Sequence, residues 1–192
     1  MTSIIGTLPS TLLNGTVNDA WCVDAGIQYN GSPATTFSGA QQLAGAVVTG
    51  LADGVQILPF TMPANGSFSL PAPASLVTIG LPFTAQLQTL PIDVGEPTVQ
   101  GKEKKINAVV VRCVDTLGLS IGSSFSSLVP MKDLFIGNVG SMTNKVVTGL
   151  VTGDARTFVD PIWSTQGQFC IQQSFPYPAT ITGVIPQLTV GT

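Results

Sequence analysis

The sequence predicts an all-β chain, an antiparallel β-sandwich or barrel with long loops. Three observations carry that reading. Short runs rich in Val, Ile, Thr and Phe recur at close intervals, as strands do. Asp53-Gly54, Asn65-Gly66 and several Pro residues break them, at positions where turn backbones are tolerated. No window long enough for a helix combines helical periodicity with caps.

Taken in order, residues 1–19 are Ser-, Thr-, Leu- and Gly-rich and read as an N-terminal arm or extension. Its Ile4, Ile5, Leu8, Leu12 and Leu13 suit packing across an adjacent subunit, while a loose terminus is the plainer reading. Residues 20–192 read as a β-sandwich or barrel domain, built as one body or two small lobes. Residues 46–51 form a strand that ends at Asp53-Gly54, and residues 55–62 return from it. Ser67-Phe-Ser-Leu70 alternates as a half-buried strand should, and residues 76–81 form a continuous apolar run predicted to be buried on both faces. Residues 83–90 alternate again.

Residues 106–114 are the strongest strand signal, and Asp115-Thr-Leu-Gly118 turns it into residues 119–121. Residues 123–144 are irregular and read as a long loop, a place where contacts often lie. Residues 145–152, 169–173 and 180–190 complete the strands. Short turns between such strands imply a sandwich or barrel.

Charge is sparse. Charged residues make up 9% of the chain, against roughly 25% in average soluble domains. A surface that cannot be covered with charge suits burial against other subunits. The apolar content of 44% and the net charge of −3 argue against disorder, and the weak negative charge argues against general nucleic-acid binding. No basic-flanked leader opens the sequence, and no run approaches the ~20 apolar residues of a membrane helix. Synthesis in the cytoplasm and the absence of a membrane partner are the corresponding expectations.

Chemistry is hard to place. The chain has no His, which removes the commonest general base and the Ser-His-Asp and Cys-His arrangements. Cys22, Cys113 and Cys170 are far apart and odd in number, and they read as buried free thiols rather than zinc ligands. Asp53, Asp115 and Asp154 each read as turn residues. The expectation is a protein without catalytic site, metal, cofactor or small-molecule substrate.

Two groups remain as candidate contacts. Lys102, Lys104 and Lys105 form the main basic cluster. They read either as a solvated hairpin turn that protects a sheet edge or as a contact with an acidic neighbour or DNA. Trp21, Trp163, Phe175 and Tyr177 read as core more readily than as interface, and Phe175-Pro-Tyr177-Pro178 is the stretch among them best suited to an exposed patch and a contact.

Several stretches resemble, in order and spacing, the C-terminal module of tail tubular (nozzle-type) proteins of short-tailed bacteriophages and related virion proteins. They are Cys22-Val-Asp-Ala-Gly-Ile-Gln-Tyr-Asn-Gly31, Thr35-Thr-Phe-Ser-Gly39, residues 43–92, Gly101-Lys-Glu-Lys-Lys-Ile106, Gly153-Asp-Ala-Arg156 and residues 178–186. The resemblance spans residues 20–192. It departs where members of that family carry a His and a Glu, here Gln42 and Ala44 before Gly45.

The resemblance implies a structural virion protein, a tail, nozzle or neck component assembling as an oligomeric ring. Its partners would be copies of itself and other phage structural proteins, with DNA passing a tail lumen as a further contact. The chain would be the module used alone, located in the virion and made in the host cytoplasm. The alternatives are a host-recognition (carbohydrate-binding) module of a tail appendage and a capsid decoration protein.

Overall fold

Among the described residues of the computed structural model, twelve strands fall into three antiparallel sheets and there is no α-helix. The structure describes residues 20–93, 95, 98–134 and 149–191. The proposed arm at 1–19, residues 135–144 of the irregular segment, and residues 145–148 of a predicted strand lie outside them. The sheets are open, so the barrel alternative does not hold. The chain divides into two compact units, the first running up to Phe83 and including Ser174–Pro178, the second holding Thr84–Gln173 and Ala179–Thr192.

The first unit is one sheet in the order β1-β4-β2-β3, formed by β1 (Asp24–Phe37), β2 (Val47–Ala52), β3 (Val55–Thr61) and β4 (Phe68–Leu81). The predicted Asp53-Gly54 turn joins β2 to β3, with φ of 46° and 80° at its two central residues. The Asp53 carboxylate also accepts from the backbone N–H groups of Ser75, at 3.0 Å, and Leu76, at 2.8 Å. Asp53 thus makes the turn with its backbone and holds the middle of β4 with its side chain.

The apolar run 76–81 is the inner half of β4, and its Val77 and Ile79 are buried with Val48, Ile57, Leu43 and Met62. The two predicted strands 67–70 and 76–81 are in fact one, because Pro71 and Pro73 leave β4 extended. On the outer strand β3 the register with β2 slips by one residue at Leu58-Pro59. The Thr49 hydroxyl donates to the Ile57 carbonyl oxygen beside that bulge, at 2.7 Å.

The second unit is a two-sheet sandwich. One sheet pairs β6 (Lys104–Thr116) with β12 (Thr180–Val190), β9 (Val151–Phe158) and β10 (Trp163–Ser164). The other runs β5-β11-β7-β8, from β5 (Ala85–Gln88), β11 (Cys170–Gln173), β7 (Leu119–Gly122) and β8 (Leu128–Pro130). The inner faces share one core. Ile106, Val109, Val111 and Cys113 of β6 and Ala155 of β9 meet Leu119, Ile121, Phe169 and Ile171.

Two sequence expectations need correction here. Residues 85–88 are exposed on both faces, so their alternation marks an edge strand and not a half-buried one. Asp154 is not a turn residue. It lies inside β9 opposite Arg112 of β6, and the cross-strand charge pair is what makes an acid acceptable there.

Candidate interaction face

The outward face of the β10-β6-β12 sheet with β9 gathers the groups best suited to recognition. A strand turns alternate side chains outward, so the inward Ala155 and Thr157 leave Thr152, Asp154, Arg156 and Phe158 facing out from β9. An extra residue in β6 opposite Gln187-Leu188 resets its alternation. Lys105 and Val110, Arg112 and Val114 thereby share that outward side, beside Ile185, Gln187 and Thr189 of β12.

Each cation on this face is held. The Arg112 guanidinium pairs with both oxygens of Asp154, at 2.7 and 2.9 Å. That hydrogen bond lowers the Asp154 carboxyl below its usual range and raises the guanidinium. The Arg156 guanidinium lies 4.8 Å from the centre of the Phe158 ring and donates to Gln187 Oε1 at 2.7 Å. The Lys105 ammonium sits 5.3 Å from the centre of the Trp163 ring. Phe158 is 68% exposed, and Trp163, Ile185 and Val114 are exposed with it. Held cations beside exposed aromatic and branched side chains are the composition of a recognition surface rather than of a solvated sheet.

The sequence candidates separate in space. Lys102 is exposed and Lys105 is partly exposed on the face just described. Lys104 is 1% exposed, so the solvated-turn reading fails for it. It opens β6 on the inward side of the alternation, and its ammonium donates to the carbonyl oxygens of Val99 and Thr165 at 2.9 and 2.8 Å.

The proposed aromatic patch is also overturned. Pro176, Tyr177 and Pro178 are buried and Phe175 is partly so. Pro176 accepts from the Cys22 N–H, and the Tyr177 hydroxyl donates to the Gly54 carbonyl oxygen at 3.2 Å. Burial pushes the Tyr177 phenol up to about 12. Trp163, read as core, is instead exposed, because β10 is a two-residue outer strand whose ring lies along Lys105. The sequence held a usable signal in Thr152, Asp154, Arg156 and Phe158, alternating with inward residues. A strand set at 145–152 ended before it.

A second feature is a recess of ≈ 240 Å³ in the second unit, lined in part by Gln88, Lys104, Ser123, Asp160 and Gln168. The buried Ser123 hydroxyl oxygen there has no hydrogen-bond partner. No group of three or more His, Cys, Asp or Glu close enough to hold a metal occurs among the described residues. All three cysteines are free, and burial raises each thiol above its ordinary value.

No family model matches this chain, and no curated protein matches it. No helix among the described residues is long and apolar enough to cross a membrane.

Proposed function

We propose that this chain is a structural virion protein of a tailed bacteriophage, a tail, nozzle or neck component that works by oligomeric assembly and carries no catalysis. The observation that carries the assembly reading is the outward sheet face of β6, β9, β10 and β12. Its Phe158, Trp163 and Ile185 lie exposed among cations already fixed by Asp154, Gln187 and aromatic rings. Preorganised side chains lose little entropy when a partner covers them. The low charge of the chain favours the same reading, since broad neutral surfaces suit permanent contacts. The placement in a phage tail rests on the resemblance of residues 20–192 to the tail tubular module.

The exposed Trp163 and Phe158 favour a second reading, a carbohydrate-binding module on a tail appendage. Aromatic rings flanked by amide and hydroxyl groups, here Gln187 and Thr189, suit sugar faces.

Quantitative mass spectrometry of purified virions from the encoding phage tests the proposal. The polypeptide is expected at roughly 6 or 12 copies per particle, as cyclic symmetry requires. Copies on the order of hundreds would indicate capsid decoration. Particles lacking the polypeptide would defeat the virion reading altogether.

A further inference from the structure

The recess of ≈ 240 Å³ in the second unit lies where strand ends of its two sheets come together. In one sheet β5 ends at Gln88 and β7 ends at Gly122, both paired with Cys170. Gln88, Ser123 and Gln168 therefore come off the same end of that sheet. In the other sheet β6 begins at Lys104, which pairs with Ser164 of β10. Ser164 and Ile106 line the recess from that side, with Asp160 and Ile162 from the loop before β10. The recess is thus an open end of the sandwich.

Its polar groups are placed, but not all are engaged. The Ser123 hydroxyl oxygen is buried without a hydrogen-bond partner, which calls for a bound molecule or a water. The Gln168 amide is fixed by the bond from its Nε2 to the Thr89 carbonyl oxygen, at 2.8 Å, and keeps Oε1 as an acceptor. The Ser164 hydroxyl accepts from the Gln166 N–H at 3.1 Å and keeps its own proton to donate.

Charge narrows the ligand class. The Lys104 ammonium is engaged by Val99 and Thr165, neither of which lines the recess. The ion pair among the described residues joins Arg112 to Asp154, so Asp160 stands at the recess as an unpaired carboxylate and disfavours anions. No second acid joins it to hold a metal ion among the described residues. A carboxylate that only accepts, hydroxyls and amides that both donate and accept, and two isoleucines match a neutral molecule rich in hydroxyl groups.

We propose that this recess binds one ring of a neutral sugar. The ring's hydroxyls are shared among Ser123, Ser164, Gln168 and Asp160, and its C–H face lies against Ile106 and Ile162. The volume is below the about 300 Å³ at which pockets for drug-sized ligands begin, which suits a single ring. The site is distinct from the outward rings, because strand alternation turns Ser164 inward where Trp163 faces out over Lys105. It rests on the carbohydrate reading given above and moves the sugar from the sheet face to the sandwich end.

Full-length ¹⁵N-labelled chain is titrated with glucose, galactose, mannose and N-acetylglucosamine, and separately with inorganic phosphate. At least one sugar is expected to give saturable NMR shifts at Ser123, Gly167 and the Gln168 side-chain amide, with a Kd of about 1 mM, as befits so small a ligand. Phosphate is expected to give none. Ser123→Ala and Asp160→Asn are each expected to weaken sugar binding by about tenfold. The melting temperature of Ser123→Ala is expected to hold or rise, since the hydroxyl removed has no protein partner, so its weaker binding is not a loss of fold.

Shifts confined to Trp163 and Phe158 put the sugar on the outward face, which overturns the recess and leaves the carbohydrate reading standing. Sugar binding that ignores both variants, or shifts with phosphate alone, overturns the recess as well. A chain that answers to none of the sugars overturns the recess and the carbohydrate reading together.

Discussion

The ammonium of Lys104 donates to the carbonyl oxygen of Thr165 at 2.8 Å, 61 residues further along the chain, and also to Val99. A cation that the sequence places in a surface cluster thus holds two loops of the second unit to the start of β6. No described carboxylate pairs with it, so the carbonyl oxygens carry its solvation.

Replacing Lys104 is therefore expected to be costly where its neighbours are not. Lys104→Met keeps the buried stem but leaves the Val99 and Thr165 carbonyls unpaired, at about 1–3 kcal/mol. Lys102→Ala and Lys105→Ala are expected to stay within about 0.5 kcal/mol. Urea unfolding of the three single variants checks this. Equal midpoints would show that the buried ammonium contributes nothing to stability.

Gly50→Ala is expected to destabilise the first unit by about 1–3 kcal/mol through overpacking. A Cβ there collides with the Thr78 carbonyl oxygen of the paired strand β4. Gly183→Ala in β12 is the control, since its nearest neighbour is Arg112 Cβ at 3.8 Å. The melting temperature should fall for the first and hold or rise for the second.

Asp53→Ala is expected to cost about 1–3 kcal/mol, because the buttress on the Ser75 and Leu76 N–H groups disappears and φ is 46° there. Asp53→Asn retains an acceptor and tolerates that backbone, so it is expected to cost less. Native-state hydrogen exchange at Ser75 and Leu76 reads the effect directly. Unchanged exchange in Asp53→Ala would refute the buttress.

Tyr177 sets an alkaline limit. Its folded value is about 12, raised from 10.0 by burial, so the folded state holds the phenol proton more tightly than the unfolded chain. The stability this contributes is complete below pH 10.0 and is lost as pH rises towards about 12. The raised thiols of Cys22, Cys113 and Cys170 act in the same direction from about pH 9.0 upward. Tyr177→Phe is expected to flatten the loss above pH 10.0, though it starts less stable for want of the bond to Gly54. Parallel pH–stability curves for the two proteins would exclude the phenol as a cause.

Local chemistry made much of the fold legible. Asp53-Gly54 announced its turn because few residue pairs accept two positive φ values in succession. The run 106–114 announced β6 because β-branched residues recur in a central strand that pairs along both of its edges. The last strand, Thr180–Val190, was readable from the same β-branched residue types, although it is an edge strand. The short β8 and β10 were not, because strands of three and two residues have no period to detect.

What neighbouring residues alone decide, the sequence determined: strand class, the tight turn at Asp53-Gly54, and the sparse charge. What distant residues decide came only from the tertiary structure. Lys104 and Lys105 are adjacent and chemically alike, yet one is buried and one lies on a face, because a strand sends successive side chains to opposite sides. Tyr177 looks like a loop aromatic until its hydroxyl meets Gly54, 123 residues away in sequence. Arg112 and Asp154 become a pair only because β6 and β9 align in one register. Pairing across long separations depends on which sheet each strand joins, and no local run of residues encodes that choice by itself.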